Sequence, residues 1–137
     1  MMLCAFSIDA QQINFLKFSD TLNKCRVIDV ACTWTGLYGT ALIGLNSLWY
    51  KNYPRSSFHF NNDDAEWNQM DKCGHVFTSY FESIYSLDAL KWAGVGDKKA
   101  AWYGGLTGTV MQTSIEILDG FSAKWGASPG DLIANSV

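Results

Sequence analysis

From Val27 to Tyr50 the chain is almost continuously apolar or small, broken by one acid, Asp29. About 24 residues of helix suffice to cross a bilayer. Gly36, Thr40 and Gly44 recur at every fourth position, so small side chains line one face and predict close approach by a neighbouring helix. A buried core helix of a soluble bundle has the same pattern, and a mean hydropathy of -0.02 for the whole chain leaves both readings open.

Lys51 to Asn62 contains Pro54 and paired Ser and Asn, the composition of a loop, and Tyr53, Phe58, His59 and Phe60 predict that it packs. Asp63 heads an Asp-x-x-Glu pattern closed by Glu66, which predicts a helix from Asp63 to about Trp92, ended before Gly94 and Gly96. Along it Asp71, His75, Thr78 or Ser79, Glu82 and Ser86 form one polar stripe, while Phe77, Phe81, Ile84 and Leu87 lie on other faces. A third helix is predicted over Lys98 to Leu118, with Gly104 and Gly108 as another small-residue contact face. On an adjacent face stand Gly105, Thr109, Gln112, Glu116 and Asp119. Acids so late in a helix oppose its dipole and point to a specific partner for their charge. Ser128-Pro129-Gly130-Asp131 opens a last helix, with Ser128 as cap and Pro129 in the first turn. Only Leu132 to Val137 follow, which suggests a natural chain that continues further.

These elements predict an all-α fold, a compact bundle of three to four helices that is either soluble or partly embedded in a membrane. Its 137 residues fit one domain. Met1 to Ala10 reads as the remnant of a secretory signal cleaved after Ala10, leaving 11–137 as the domain. Cys4 follows Leu3 rather than a small residue and is not read as a lipid anchor. Cys25, Cys32 and Cys73 then remain, an odd set. Cys25 and Cys32 are separated by a helical rise of roughly 10 Å, too far for a bridge, so all three are expected to be buried thiols.

Aromatic residues reach 15% with six Trp, against 17% charged residues. Several Trp fall near predicted helix ends, where a membrane interface would favour them. A net charge of -3 without a Lys/Arg cluster excludes a nucleic-acid partner and a polybasic membrane anchor. No Gly-x-Ser-x-Gly elbow, phosphate-binding glycine loop or Cys-x-x-Cys pair is present, and no organic cofactor is indicated. His75, Glu116, Asp119 and Asp131 are the side chains that a metal site or acid–base centre needs, with His75, Glu116 and Asp119 as the candidate ligands of a divalent ion. The competing reading pairs Asp71, Lys72 and His75 locally on their helix and has Glu116 and Asp119 bond the following loop.

The segments Gln69-Met70-Asp71-Lys72-Cys73-Gly74-His75, Glu116-Ile117-Leu118-Asp119 and Trp125 to Asn135 resemble the YfiM-like family of envelope lipoproteins, a domain of unknown function. The likeness spans roughly Phe58 to Asn135 and matches polar positions at Asp71, Lys72, His75, Glu116, Asp119, Ser128, Asp131 and Asn135. It implies a location in the bacterial cell envelope and no particular reaction. The order Asp-Lys-x-x-His, acid, Asp-x-x-x-Asn is also similar to VanZ-like membrane proteins. The expectation is therefore a structural or binding module that engages membrane lipid or an envelope protein. The alternative is a membrane-associated hydrolase or metal-dependent enzyme, which requires His75, Glu116, Asp119 and Asp131 to converge.

Overall fold

A computed structural model of the chain describes residues 16–136, apart from the side chain of Trp67. The expected signal remnant and Cys4 lie outside the described residues. Four helices follow in order: α1 (Lys24–Leu48), α2 (Met70–Trp92), α3 (Asp97–Gly120) and the short α4 (Pro129–Ala134). The all-α bundle expected from the pattern is the fold observed; among the described residues the extended pairings are two isolated bridges, Arg55 with Ser122 and Phe60 with Ala127.

Each helix is bounded by local chemistry. The Asn23 side chain caps α1 by accepting from the Arg26 amide at 3.1 Å. Gly94, at φ 78°, ends α2 with amide bonds back to Lys91 and from Val95 to Leu90. Ser128 caps α4, accepting from the Asp131 amide, with Pro129 in the first turn as expected. The start of α2 differs from the sequence expectation. The helix begins at Met70, after Asn68 and Gln69 turn the chain through left-handed backbone. Asp63 does not cap it, because its carboxylate is taken by Lys72 and Ser128 from elsewhere in the fold.

The helices run up, down and up. At one end, the base, α1 is tied to the end of α2: the Arg26 guanidinium donates to the Trp92 carbonyl at 3.0 Å and lies over the Trp92 ring, and the Asn23 amide donates to Ala93. At the other end, the top, the C-termini of α1 and α3 meet the N-terminus of α2, the 50–69 loop and α4.

α2 and α3 pack most closely, and glycine makes this possible. A Cβ on Gly104 would stand 2.5 Å from Leu87 Cα, and one on Gly108 would stand 2.0 Å from the Ser79 carbonyl oxygen. Across this seam Ser86 meets Thr107 at 2.9 Å, Ser83 donates to the Gly105 carbonyl, and Gln112 donates to Glu82 at 3.0 Å. The small-residue face predicted for α3 is thus occupied. That of α1 is open among the described residues: Cβ atoms at Gly36, Gly39 and Gly44 would meet nothing there within 4 Å.

Burial is inverted relative to a water-soluble domain. Among the described residues the buried apolar side chains are Val30 and four alanines, whereas Ser79, Ser86, Gln112, Glu116, Ser122, Ser128, Asp131 and Asn135 are buried polar. Large apolar groups point outward, with Trp102 65% and Leu37 64% exposed and Phe77, Tyr85, Leu106 and Val110 alongside them. The polar stripe of α2 therefore faces the bundle and its aromatic faces look out. The same inversion corrects the expectation for the thiols, because Cys25, Cys32 and Cys73 are all exposed.

Candidate functional site: a carboxylate and imidazole centre at the top of the bundle

The top of the bundle holds a cleft of about 670 Å³ between α2, α3, α4 and the loop after α1. His75 projects from the second turn of α2 toward α3 and α4. Its Nδ1 is 2.9 Å from Asn135 Oδ1, at the C-terminus of α4. With that oxygen as acceptor, the neutral ring carries its proton on Nδ1 and presents the Nε2 lone pair to the cleft. Nε2 is 3.4 Å from Glu116 Oε1 on α3 and 4.0 Å from Asp71 Oδ1, one turn earlier on α2. Asp131 enters from the first turn of α4, and one ligand atom each from Asp71, His75 and Asp131 lie within 4.8 Å of one another.

α4 is short, yet it is locked in place. Ser79 Oγ donates to the Asn135 carbonyl at 2.8 Å, and the Ser128 amide donates to Glu116 Oε2 at 2.9 Å. Ser128 Oγ donates to Asp63 Oδ1 at 2.7 Å while accepting from Asp131. Lys72 closes this side: its Nζ is 2.7 Å from Asp63, 3.4 Å from Asp64 and 3.5 Å from Asp131. Opposite, Asp119 accepts from the Tyr50 hydroxyl at 2.7 Å. Trp49, Tyr50 and Tyr53 pack around Trp125 at ring distances of 4.7 to 5.8 Å, and Lys124 stands over Tyr53 and Trp125.

The protonation states follow from burial first. Desolvation pushes the Glu116 carboxyl up to about 7, opposed by the Ser128 amide and by His75 and assisted by the charges of Asp119 and Asp131. Burial likewise raises Asp131 against the lowering pull of His75, and raises Asp119 against its bond from Tyr50. Burial opposes the Lys72 ammonium, but Asp63, Asp131 and Asp64 outweigh it and hold the group above its usual value. The bonds from Lys72 and Ser128 similarly overcome burial at Asp63 and hold it below the usual carboxylate range. One carboxyl that titrates near neutrality thus sits 3.4 Å from the Nε2 of an imidazole held in place by Asn135, the arrangement from which proton transfer at physiological pH is built.

Of the residues singled out in the sequence, His75, Glu116 and Asp131 come together, with Asp71 at the mouth. Asp119 lines the same cleft but is engaged by Tyr50, and Ser128 and Lys72 organise the carboxylates around them. The Ser128 bond to Asp63, which the sequence reading took as a helix cap, and the Tyr50 bond to Asp119 are missing from that reading. Both depend on partners 65 and 69 residues away, and no local pattern signals them.

The family model described as "Predicted periplasmic lipoprotein (DUF2279)" matches residues 59–137, more than half of the chain. The chain belongs to this family. The match covers α2, α3 and α4 and every side chain of the His75 cluster, and it places the protein in the bacterial cell envelope, facing the periplasm and associated with a membrane. No curated protein and no solved structure matches the chain.

Proposed function

We propose that this family member is an integral membrane protein of the envelope whose polar end is a hydrolytic acid–base centre, acting on a bond held at the membrane surface. The observation that carries the reading is the convergence of His75, Glu116, Asp71 and Asp131 in one cleft at the end of a bundle that is apolar outside and polar inside. Water would not sustain that exterior, because contiguous apolar surface of this extent calls for an apolar solvent or a partner. Lipid would, and it also explains why small and polar residues fill the helix contacts. The charge-free stretches Val30–Leu48 of α1 and Ala100–Ile115 of α3 are about 28 and about 24 Å long, close to the roughly 30 Å hydrocarbon thickness. Over the corresponding part of α2, Val76 to Leu87, Glu82 is the sole charged side chain, and it is bonded to Gln112 on α3. The Trp49, Tyr50, Tyr53 and Trp125 group then falls at the headgroup level, beside the cleft. The similarity to VanZ-like membrane proteins supports the same placement.

In this reading Glu116 takes a proton from water as its oxygen bonds to an acyl or phosphoryl centre of an amphiphile. The same proton passes to the departing alkoxide as that bond breaks. His75, fixed by Asn135, holds the water and the carboxyl in register. The test is hydrolysis of carboxylic and phosphoric ester amphiphiles in mixed micelles by the full chain. Turnover that falls about 100-fold or more in Glu116→Gln, with folding retained, supports the centre; no turnover of either ester class, or equal turnover by the variant, rejects it.

The open Gly36, Thr40 and Gly44 stripe of α1 favours a second reading, a structural or binding module whose α1 docks a partner helix. It predicts that Gly36→Leu abolishes a complex in detergent while leaving the isolated chain folded.

A further inference from the structure

We infer that Asp71, His75 and Asp131 form a binding site for one divalent transition-metal ion. The site goes beyond the acid–base reading, since a binding module could hold the ion equally well, and three independent features point to it.

The first is geometry. Metal bonds of about 2.0–2.2 Å place neighbouring ligand atoms about 3–4 Å apart. The three candidate ligand atoms already lie within 4.8 Å of one another, so closure around an ion needs side-chain rotation of under about an ångström and no backbone movement. The second is an unsatisfied acceptor. Asp131 is 2% exposed, and among the described residues its Oδ1 receives no hydrogen bond; its cation is the Lys72 ammonium at 3.5 Å, which is shared with Asp63 at 2.7 Å and Asp64 at 3.4 Å. A buried carboxylate oxygen whose cation is a shared ammonium at that distance keeps its lone pairs available to a closer ion. The third is the shell behind the ligands. Asn135, wholly buried, fixes His75 through Nδ1 and turns Nε2 toward the cleft, the orientation a metal-binding imidazole requires.

Two carboxylate oxygens with one imidazole nitrogen suit Zn²⁺, Mn²⁺, Fe²⁺ or Co²⁺ better than Mg²⁺ or Ca²⁺, which favour all-oxygen sites. Asp71 stands at the mouth with its side chain 57% exposed, so exchange with solvent is direct. Three protein ligands leave a position open toward the cleft, next to Glu116, for water or a ligand group.

The experiment uses the full chain in detergent micelles, stripped with chelator, reloaded with Co²⁺ or Zn²⁺ and passed through gel filtration. Retained metal is measured by elemental analysis, and the Co²⁺ form by its visible absorption. Stoichiometric ion in the wild type is expected, with affinity lowered about 10-fold or more in His75→Ala and in Asp71→Asn. Asp71 lies at the cleft mouth, so its variant tests the site without the folding cost of altering buried Asp131. Asp119→Asn is expected to retain the ion, because Asp119 is engaged by Tyr50 and lies outside the trio. The inference is overturned if the wild type retains no ion at micromolar concentrations, or if His75→Ala and Asp71→Asn bind as tightly as wild type. Absence of ester hydrolysis by the wild-type chain with metal binding intact would reject the acid–base centre alone, so the two proposals fail separately.

Discussion

Glu116 is held between its neighbours by opposing effects, and its titration is therefore a direct probe of the cleft. Burial raises its carboxyl to about 7 in the folded protein from about 4.5 in the unfolded chain. Between those values the native state binds more protons than the unfolded state, so stability falls as pH rises from about 4.5 to about 7, by up to ~1.4 kcal/mol per pH unit. Asp119 and Asp131, also raised, contribute in the same sense, whereas Asp63, lowered by Lys72 and Ser128, contributes stability that is lost as pH falls. Thermal unfolding of the chelator-stripped protein should show this decline, and Glu116→Gln should flatten it. An unchanged slope in the variant would mean that Glu116 titrates normally. Much of this cluster is legible in the sequence as residue types, since His75, Glu116 and Asp131 stand out against a chain poor in charge. Their environment is not legible, because burial at Glu116 comes from α4 and from the Ser128 amide rather than from its own helix.

At the scale of the elements, two glycine stripes of similar appearance have opposite circumstances. Gly108 lies against the Ser79 carbonyl and Gly104 against Leu87, while Gly36 meets no neighbour among the described residues. Gly108→Ala should therefore force α2 and α3 apart and destabilise the bundle by about 1–3 kcal/mol or more. Gly36→Ala should leave the unfolding transition of the isolated chain within a few tenths of a kcal/mol, or raise it through better helix propensity. Equal effects in detergent melting would contradict the packing described. Spacing alone cannot separate the stripes: both read as small residues every fourth position, and which is filled depends on where the chain folds back. The helix spans are read well because periodicity and caps are local, as with Ser128 at α4, whose replacement by Ala should cost about 1 kcal/mol and loosen Asp131 and Asn135. The start of α2 is read wrongly for the converse reason. Asp63 and Glu66 match a capping pattern, but the Asp63 carboxylate gains more from Lys72 and Ser128, which only the tertiary fold supplies.

At the scale of the whole molecule, the inverted distribution of side chains explains why the thiols were expected inside and are found outside: exposed surface here is apolar, and cysteine behaves as a small apolar residue. The proposed membrane-spanning arrangement also predicts an orientation. Lys17, Lys24, Arg26, Lys91, Lys98 and Lys99 lie at the base, six of the ten basic residues, and Lys51, Arg55, Lys72 and Lys124 lie at the top. Lys72 is further engaged by Asp63, Asp64 and Asp131. In the membrane-spanning arrangement proposed above, the excess of basic residues at the base would make it the cytoplasmic side and would put the His75 cleft on the periplasmic face. The exposed cysteines report on this directly, because Cys73 lies in the first turn of α2 at the top and Cys25 in the first turn of α1 at the base. In chains carrying one or the other as sole cysteine, a membrane-impermeant maleimide added to intact spheroplasts should label Cys73 and should label Cys25 only after permeabilisation. The reverse pattern would place the cleft in the cytoplasm. Labelling of both before permeabilisation, with the protein released from membranes by alkaline carbonate, would show a peripheral protein whose apolar exterior is covered by a partner rather than by lipid.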